Sequence, residues 1–291
     1  MQLLRTKEEL DDALAAAARP VALVPTMGAL HDGHLALVRE ARTRASTVIA
    51  SIFVNPLQFN DKSDLDRYPR NEEADAAKLE KAGCDLVWLP TPDTLYPPRF
   101  ATRVHVDGIT DRWEGEHRPG HFDGVATVVT KLFTNTRPDI AVFGEKDFQQ
   151  LAIIRRLNAD LDLGVEIVGL PTVRAEDGLA LSSRNALLSS EARAKAATLI
   201  DAIGKAAAGI GAGAYRDGFE SRGVEALLTE ARDRLSAAGF TSIDYVAYVD
   251  GASLEPLETW RENGRIVAAA TIDGVRLIDN VAVPDLGASN A

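Results

Sequence analysis

His31 and His34 stand three residues apart in the segment P-T-M-G-A-L-H-D-G-H at positions 25–34. Two imidazoles at that spacing beside a helix start can both donate to a polyphosphate, and a protonated ring also offsets charge developing in nucleotidyl transfer. The ordinary alternative is that each ring caps or packs locally, and spacing alone leaves both open. Gly28 and Gly33 permit unusual dihedrals and close backbone approach. There is no G-x-G-x-x-G in this segment and no P-loop in the chain, so neither common nucleotide motif accounts for it. A zinc set of His31, His34, His117 and His121 ranks well below phosphate binding. Pro119 separates the last two, which are not expected to share a helical face, and no H-E-x-x-H occurs. No metal site is expected.

The elements that must position this segment follow from periodicity. Residues 3–18 carry Leu and Ala at helical spacing, and 21–25 form a short apolar run suited to a buried strand. Helical patterns near 35–44, 71–82, 125–135 and 148–161 then alternate with apolar runs at 47–54, 85–89, 140–143 and 165–170. Such alternation predicts a parallel sheet with helices on both faces. The segment 25–34 falls at the first strand-to-helix turn, where ligands of open α/β sheets collect and a helix N-terminus offers N–H groups to phosphate. One Rossmann-like α/β domain is expected over 1–174, followed by a smaller α+β domain over 175–291. In the latter, Ser189 opens a capped helix, 209–218 reads as a glycine-rich loop, and 245–249, 265–271 and 275–279 read as strands.

Composition narrows the function classes. With 291 residues, 46% of them hydrophobic, the chain can bury a substantial core. A net charge of −11 and a pI near 5.0 oppose non-specific attraction to nucleic acid or an anionic bilayer. Cys84 is the single cysteine, so an intrachain disulfide is excluded. Glu8, Glu9, Asp11 and Asp12 make the first twenty residues unlike a signal h-region or a transit peptide, and no apolar stretch is long enough to span a bilayer. A cytoplasmic protein with no nucleic-acid or membrane partner is expected.

Segment 25–34 resembles the first signature of the pantothenate synthetase family, a relative of the H-x-G-H element of the nucleotidylyltransferase superfamily. Further similar motifs follow in order: S-I-F-V-N-P-L-Q-F at 51–59, R-Y-P at 67–69, R-P-G-H-F at 118–122, G-E-K-D-F-Q-Q-L at 144–151, L-S-S-R-N at 181–185 and R-L-I-D-N at 276–280. The departures, Leu57 where the family often has methionine and Phe148 where tyrosine also occurs, are apolar exchanges.

The resemblance implies a two-step ATP-dependent ligase. The carboxylate of (R)-pantoate attacks the α-phosphorus of ATP to give pantoyl-adenylate and pyrophosphate, and β-alanine then takes the acyl group, releasing AMP. It implies that His31, His34 and Lys146 act in catalysis, with His34 at the position of the proton donor, a role that means either protonating pyrophosphate or stabilising charge. It places the nucleotide on Met27, Gly28, Ala29, Leu30, His31, Asp32, Gly33 and His34. Further contacts fall on Gly144, Glu145, Lys146 and Asp147, and on Val173, Leu181, Ser182, Ser183 and Arg184. Lys146 would meet the triphosphate and Asp147 a ribose hydroxyl. Ser182, Ser183 and Arg184 offer hydroxyls and a guanidinium suited to phosphate oxygens. Gln58 and Gln150 would hold pantoate without adding repulsive charge, with Asn55 and Tyr68 near the pantoate and amine end. Mg²⁺ is expected as counter-ion of ATP, held mainly by phosphate and water. A homodimer is implied, as is a second domain that closes as a lid.

Two rivals remain at this level. One is an adenylyltransferase whose acceptor carries a phosphate; it would call for additional Arg or Lys where Gln58 and Gln150 stand. The other is a regulatory module that binds ATP without consuming it, since fold does not fix function.

Overall fold

The computed structural model describes residues 1–59, 65, 68, 71–213 and 221–285. Arg67 and Pro69 of one motif, and 214–218 of the expected loop, lie outside the described residues. The chain divides into two units, Met1–Glu145 with Ile153–Thr172, and Lys146–Ala152 with Val173–Ala291.

The first unit is built on six strands, β1 (Gln2–Leu4), β2 (Val21–Thr26), β3 (Thr47–Ile52), β4 (Leu86–Trp88), β5 (Ile140–Gly144) and β6 (Glu166–Leu170). All pair in parallel in the order β1-β4-β3-β2-β5-β6. Helices α1 (Lys7–Ala16), α2 (Asp32–Arg44), α3 (Glu72–Ala82), α4 (Pro92–Leu95), α5 (Glu114–His117), α6 (His121–Thr136) and α7 (Phe148–Asp160) connect them. Val21, Ala22, Leu23 and Val24 are all fully buried, as a strand covered on both faces requires. The α/β reading holds. One element differs: Gln2–Leu4 is an edge strand paired with β4, not the start of a helix. The helix begins after Thr6, whose side chain accepts from the Glu9 N–H while Glu9 reaches back to the cap, a T-x-x-E capping box. Three residues carry too little periodicity to declare a strand.

The second unit has an antiparallel sheet of β7 (Ser242–Asp250), β8 (Gly264–Ile272) and β9 (Val275–Ala282) with helices α8 (Ser190–Ala196), α9 (Thr198–Gly213) and α10 (Ser221–Ala238). Ser189 caps α8 by accepting from the Ala192 N–H, as its sequence suggests. The expected loop from 209 is corrected: helix α9 runs through Gly213. Two of its glycines serve packing, since a Cβ on Gly209 would lie 2.8 Å from the Leu227 side chain and one on Gly211 would lie 2.2 Å from the Pro284 carbonyl oxygen. Leu199, Ile203, Ile210, Leu235, Tyr248 and Ile266 form its core.

Cys84 is buried between β3 and β4, its thiol directed at the Leu86 carbonyl, 3.1 Å away. Burial pushes the thiol up to about 11. Native protein at pH 8 is therefore expected to resist a thiol-disulfide reagent and to react stoichiometrically once unfolded in denaturant. Rapid labelling of the native fold would contradict this burial.

Candidate active site

Strand order reverses between β2 and β5, with Ala22 opposite Ile140 and Leu23 opposite Ala141. The carboxyl ends of these two strands flank a topological switch point, the usual crevice for ligands. Gly144 closes β5 there, and the β2–α2 turn faces it from the next strand. The turn needs left-handed backbone at Gly28 (φ +82°) and Ala29 (φ +52°). Asp75, 2% exposed, stabilises it: its carboxylate accepts from the N–H of Ala29 at 2.8 Å and of Leu30 at 2.9 Å. Lys78, on the same helix, donates to the Leu30 carbonyl at 2.7 Å. Gly28 is needed at this spot, because a Cβ would sit 3.1 Å from the Asp75 carboxylate and 3.2 Å from Ile52. The N–H groups of Ala29 and Leu30 thus have protein partners.

His31 is the N-cap of α2. Its Nδ1 accepts from the Gly33 N–H at 3.2 Å, while Nδ1 of His34 accepts from the His31 N–H at 3.3 Å. Ser, Thr, Asp or Asn usually does this work. With Nδ1 accepting, each neutral ring carries its proton on Nε2. The rings lie 4.1 Å apart at 44°. Local capping and donation to phosphate are therefore compatible, because they use different nitrogens of the same rings.

Gln58 ends a 3-10 turn, Pro56–Gln58, and is 8% exposed. Its carbonyl accepts from His121 Nδ1 at 2.9 Å and Arg118 Nη2 at 3.2 Å. Its side-chain oxygen accepts from Asn55 Nδ2 at 3.0 Å, and its Nε2 points to the Met27 sulfur at 2.8 Å. Asn55 is 1% exposed and also donates to the Gly124 carbonyl at 3.0 Å. Tyr68 packs edge-on to Phe59, ring centroids 5.8 Å apart.

In the second unit, Lys146 lies in the 3-10 turn Glu145–Asp147, its side chain 19% exposed and its ammonium 3.8 Å from Asp147. Its carbonyl accepts from Asn280 Nδ2 at 3.0 Å, and the Arg265 guanidinium stacks 4.0 Å over Phe148 while donating to Asn280. Strands β8 and β9 therefore hold this turn by main chain and ring. Lys146, Ser182, Arg184, Asn185, Arg276 and Asp279 line one open pocket. Asp279 is neutralised by a bidentate pair with Arg174, at 2.6 and 2.9 Å. Arg276 is paired with Asp244 at 2.6 Å, so Lys146 and Arg184 are the groups that leave the pocket cationic and suited to phosphate. Ser182 accepts from the Arg184 N–H at 3.3 Å, and the Leu181 N–H donates to Val173 at 2.9 Å, bringing Val173, Leu181 and Ser182 to one place. Gln150 is half-buried in the first turn of α7, whereas Asp32 and Asp147 are exposed.

The sequence alone does not single out Asp75, Asn280 or Arg276. Asp75 sits in an E-E-A-D stretch that reads as a solvated helix face, and only its partners 45 and 46 residues away reveal it. Arg276 and Asn280 do fall in the R-L-I-D-N motif, which was the available signal.

Comparison with known proteins identifies the family. The family model for pantoate-beta-alanine ligase matches residues 2–282. A pantothenate synthetase from Rhizorhabdus wittichii is 57% identical over 286 residues, covering 97% of this chain and 99% of the relative. One from Cereibacter sphaeroides is 52% identical over 284 residues, with 97% and 99% covered. Among solved structures, pantothenate synthetase from Thermus thermophilus superposes with a TM-score of 0.88 at 47% identity, over 97% of this chain and 99% of that one. The Francisella tularensis pantoate-beta-alanine ligase, complexed with beta-gamma ATP and beta-alanine, gives 0.78 at 31% identity, with 97% of each chain covered. Matched end to end at this identity, the chain belongs to the pantoate-beta-alanine ligase family.

Proposed function

We propose that the protein joins (R)-pantoate to β-alanine at the expense of ATP. A carboxylate oxygen of pantoate attacks the α-phosphorus, the bond to the bridging oxygen breaks, and pyrophosphate leaves with the electron pair. The β-alanine nitrogen then attacks the acyl carbon, the bond to AMP breaks, and the amine loses a proton. The end-to-end family match carries this reading.

Carboxylate and triphosphate repel, so the site must supply positive charge and fixed donors. Lys146, Ser182 and Arg184 are assigned to the triphosphate, supported by their common cationic pocket. His31 and His34 are assigned to phosphate oxygens through Nε2, which favours hydrogen-bond donation by the neutral rings. Gln58 and Gln150 are assigned to pantoate. Magnesium enters with ATP as part of the substrate, held by phosphate and water. A homodimer, a cytoplasmic setting and the lid role of the second unit belong to the same proposal, on family resemblance and composition.

The test is pyrophosphate release from MgATP with pantoate alone and with pantoate plus β-alanine, following AMP and pantothenate by mass. Release that depends on pantoate and turns over only with β-alanine supports the ligase; ATP binding without release would favour the regulatory module. Within that assay, Gln58→Ala is expected to raise KM for pantoate about tenfold or more, and to leave that for ATP within about twofold. Gln58→Glu should be worse, because it sets a carboxylate against an acid substrate. Equal losses for ATP and pantoate would remove Gln58 from the acid site.

A further inference from the structure

Asn55 and Gln58 leave one question open: what decides which end of the Gln58 amide faces the ligand. Asn55 Nδ2 donates to Gln58 Oε1 and to the Gly124 carbonyl, both at 3.0 Å. Its Oδ1 accepts from the Leu57 N–H at 3.2 Å and from the Tyr96 hydroxyl at 2.8 Å. An asparagine side chain has two donor and two acceptor positions, and here all four are occupied within the protein. Reversing its amide would set Nδ2 against the Leu57 N–H and Oδ1 against the Gly124 carbonyl.

We propose that Tyr96 is a positioning residue that braces the Asn55 amide, whose sense the Leu57 N–H and the Gly124 carbonyl set, and through it presents Gln58 to pantoate as a hydrogen-bond donor. With Oε1 held by Asn55, the Nε2 group is the end available to the acid, and its Met27 sulfur partner is a weak acceptor that a substrate oxygen displaces. Gln58 then reads an acceptor oxygen of pantoate. Tyr96 is itself held, its ring against Phe53 and Phe100 at centroid distances of 6.1 and 5.0 Å. Burial drives its phenol above the usual tyrosine range, against the opposing effect of Arg103, so it stays protonated and donating at any working pH.

The inference rests on the assignment of Gln58 to pantoate, and the experiment separates the two. Tyr96→Phe keeps the ring packing and removes only the hydroxyl. It is expected to raise KM for pantoate about fivefold, roughly the worth of one hydrogen bond. KM for ATP should be unmoved, kcat should fall less than KM rises, and the melting temperature should change little. In a Gln58→Ala background the same substitution should have no further effect on pantoate KM, since the amide it orients is gone. If Gln58→Ala raises the pantoate KM and Tyr96→Phe does not, or if the two effects add, the relay is wrong while the Gln58 assignment stands. If Gln58→Ala leaves the pantoate KM unchanged, the assignment fails and the relay with it.

Discussion

Replacing Lys146 by Ala is expected to slow pantoate-dependent pyrophosphate formation about 10²–10³-fold, the usual loss when a charge-stabilising donor is removed from a transition state. Adenylate formation concentrates negative charge on the phosphates, and the ammonium is one of the cations of the pocket shared with Ser182, Arg184 and Arg276. Stability should barely change. The ion pair to Asp147 is long, at 3.8 Å, and the Asn280 bond goes to the main-chain carbonyl, which alanine keeps. Single-turnover pyrophosphate release, read beside a denaturant melt, distinguishes the outcomes. Slow chemistry with an unchanged melt supports the assignment, whereas near-normal turnover would place Lys146 outside the reaction.

The second large effect is expected at a residue that touches no substrate. Gly124, in the first turn of α6, lies so close to the Pro56–Gln58 turn that an alanine Cβ would sit 2.3 Å from the Leu57 carbonyl oxygen, 2.5 Å from its carbon and 2.7 Å from the Gln58 nitrogen. All three are backbone atoms, which cannot rotate aside. Gly124→Ala must shift the helix or the turn, at about 1–3 kcal/mol of stability, the usual range for overpacking. A shift of the turn moves Gln58, and a shift of the helix displaces the Gly124 carbonyl that anchors Asn55. A lowered melting temperature and a pantoate KM raised more than tenfold are expected together. Gly204→Ala is the control: Gly204 lies inside α9 with nothing within 4 Å of its Cβ position, so alanine there should be neutral or stabilising by up to about 1 kcal/mol. If Gly124→Ala behaves like Gly204→Ala, the close approach drawn here is incorrect.

Much of the fold is legible in the amino-acid sequence. Alternating apolar runs and helical patterns are local properties, and they predict the parallel sheet because a strand buried on both faces must be apolar throughout, as Val21 to Val24 are. Motif spacing likewise placed His31 and His34 at a strand-to-helix turn. What remained hidden was every feature set by contacts distant in sequence. Asp75 holds the turn at Ala29 from 46 residues away, Gly124 meets Asn55 across 69, and Asn280 holds Lys146 across 134. The same holds for Gly209 and Gly211 of α9, which suggest a loop until Leu227 and Pro284 are seen to occupy the space a side chain would need. The amino-acid sequence by itself determined which groups could do chemistry and the order of elements that carry them, since both depend on residue type and local period. The histidine nitrogens are set locally, by the Gly33 and His31 N–H groups of the same turn, and only the tertiary structure decided which end of the Asn55 and Gln58 amides is turned outward, because Tyr96, Gly124 and Met27 reach them only on folding.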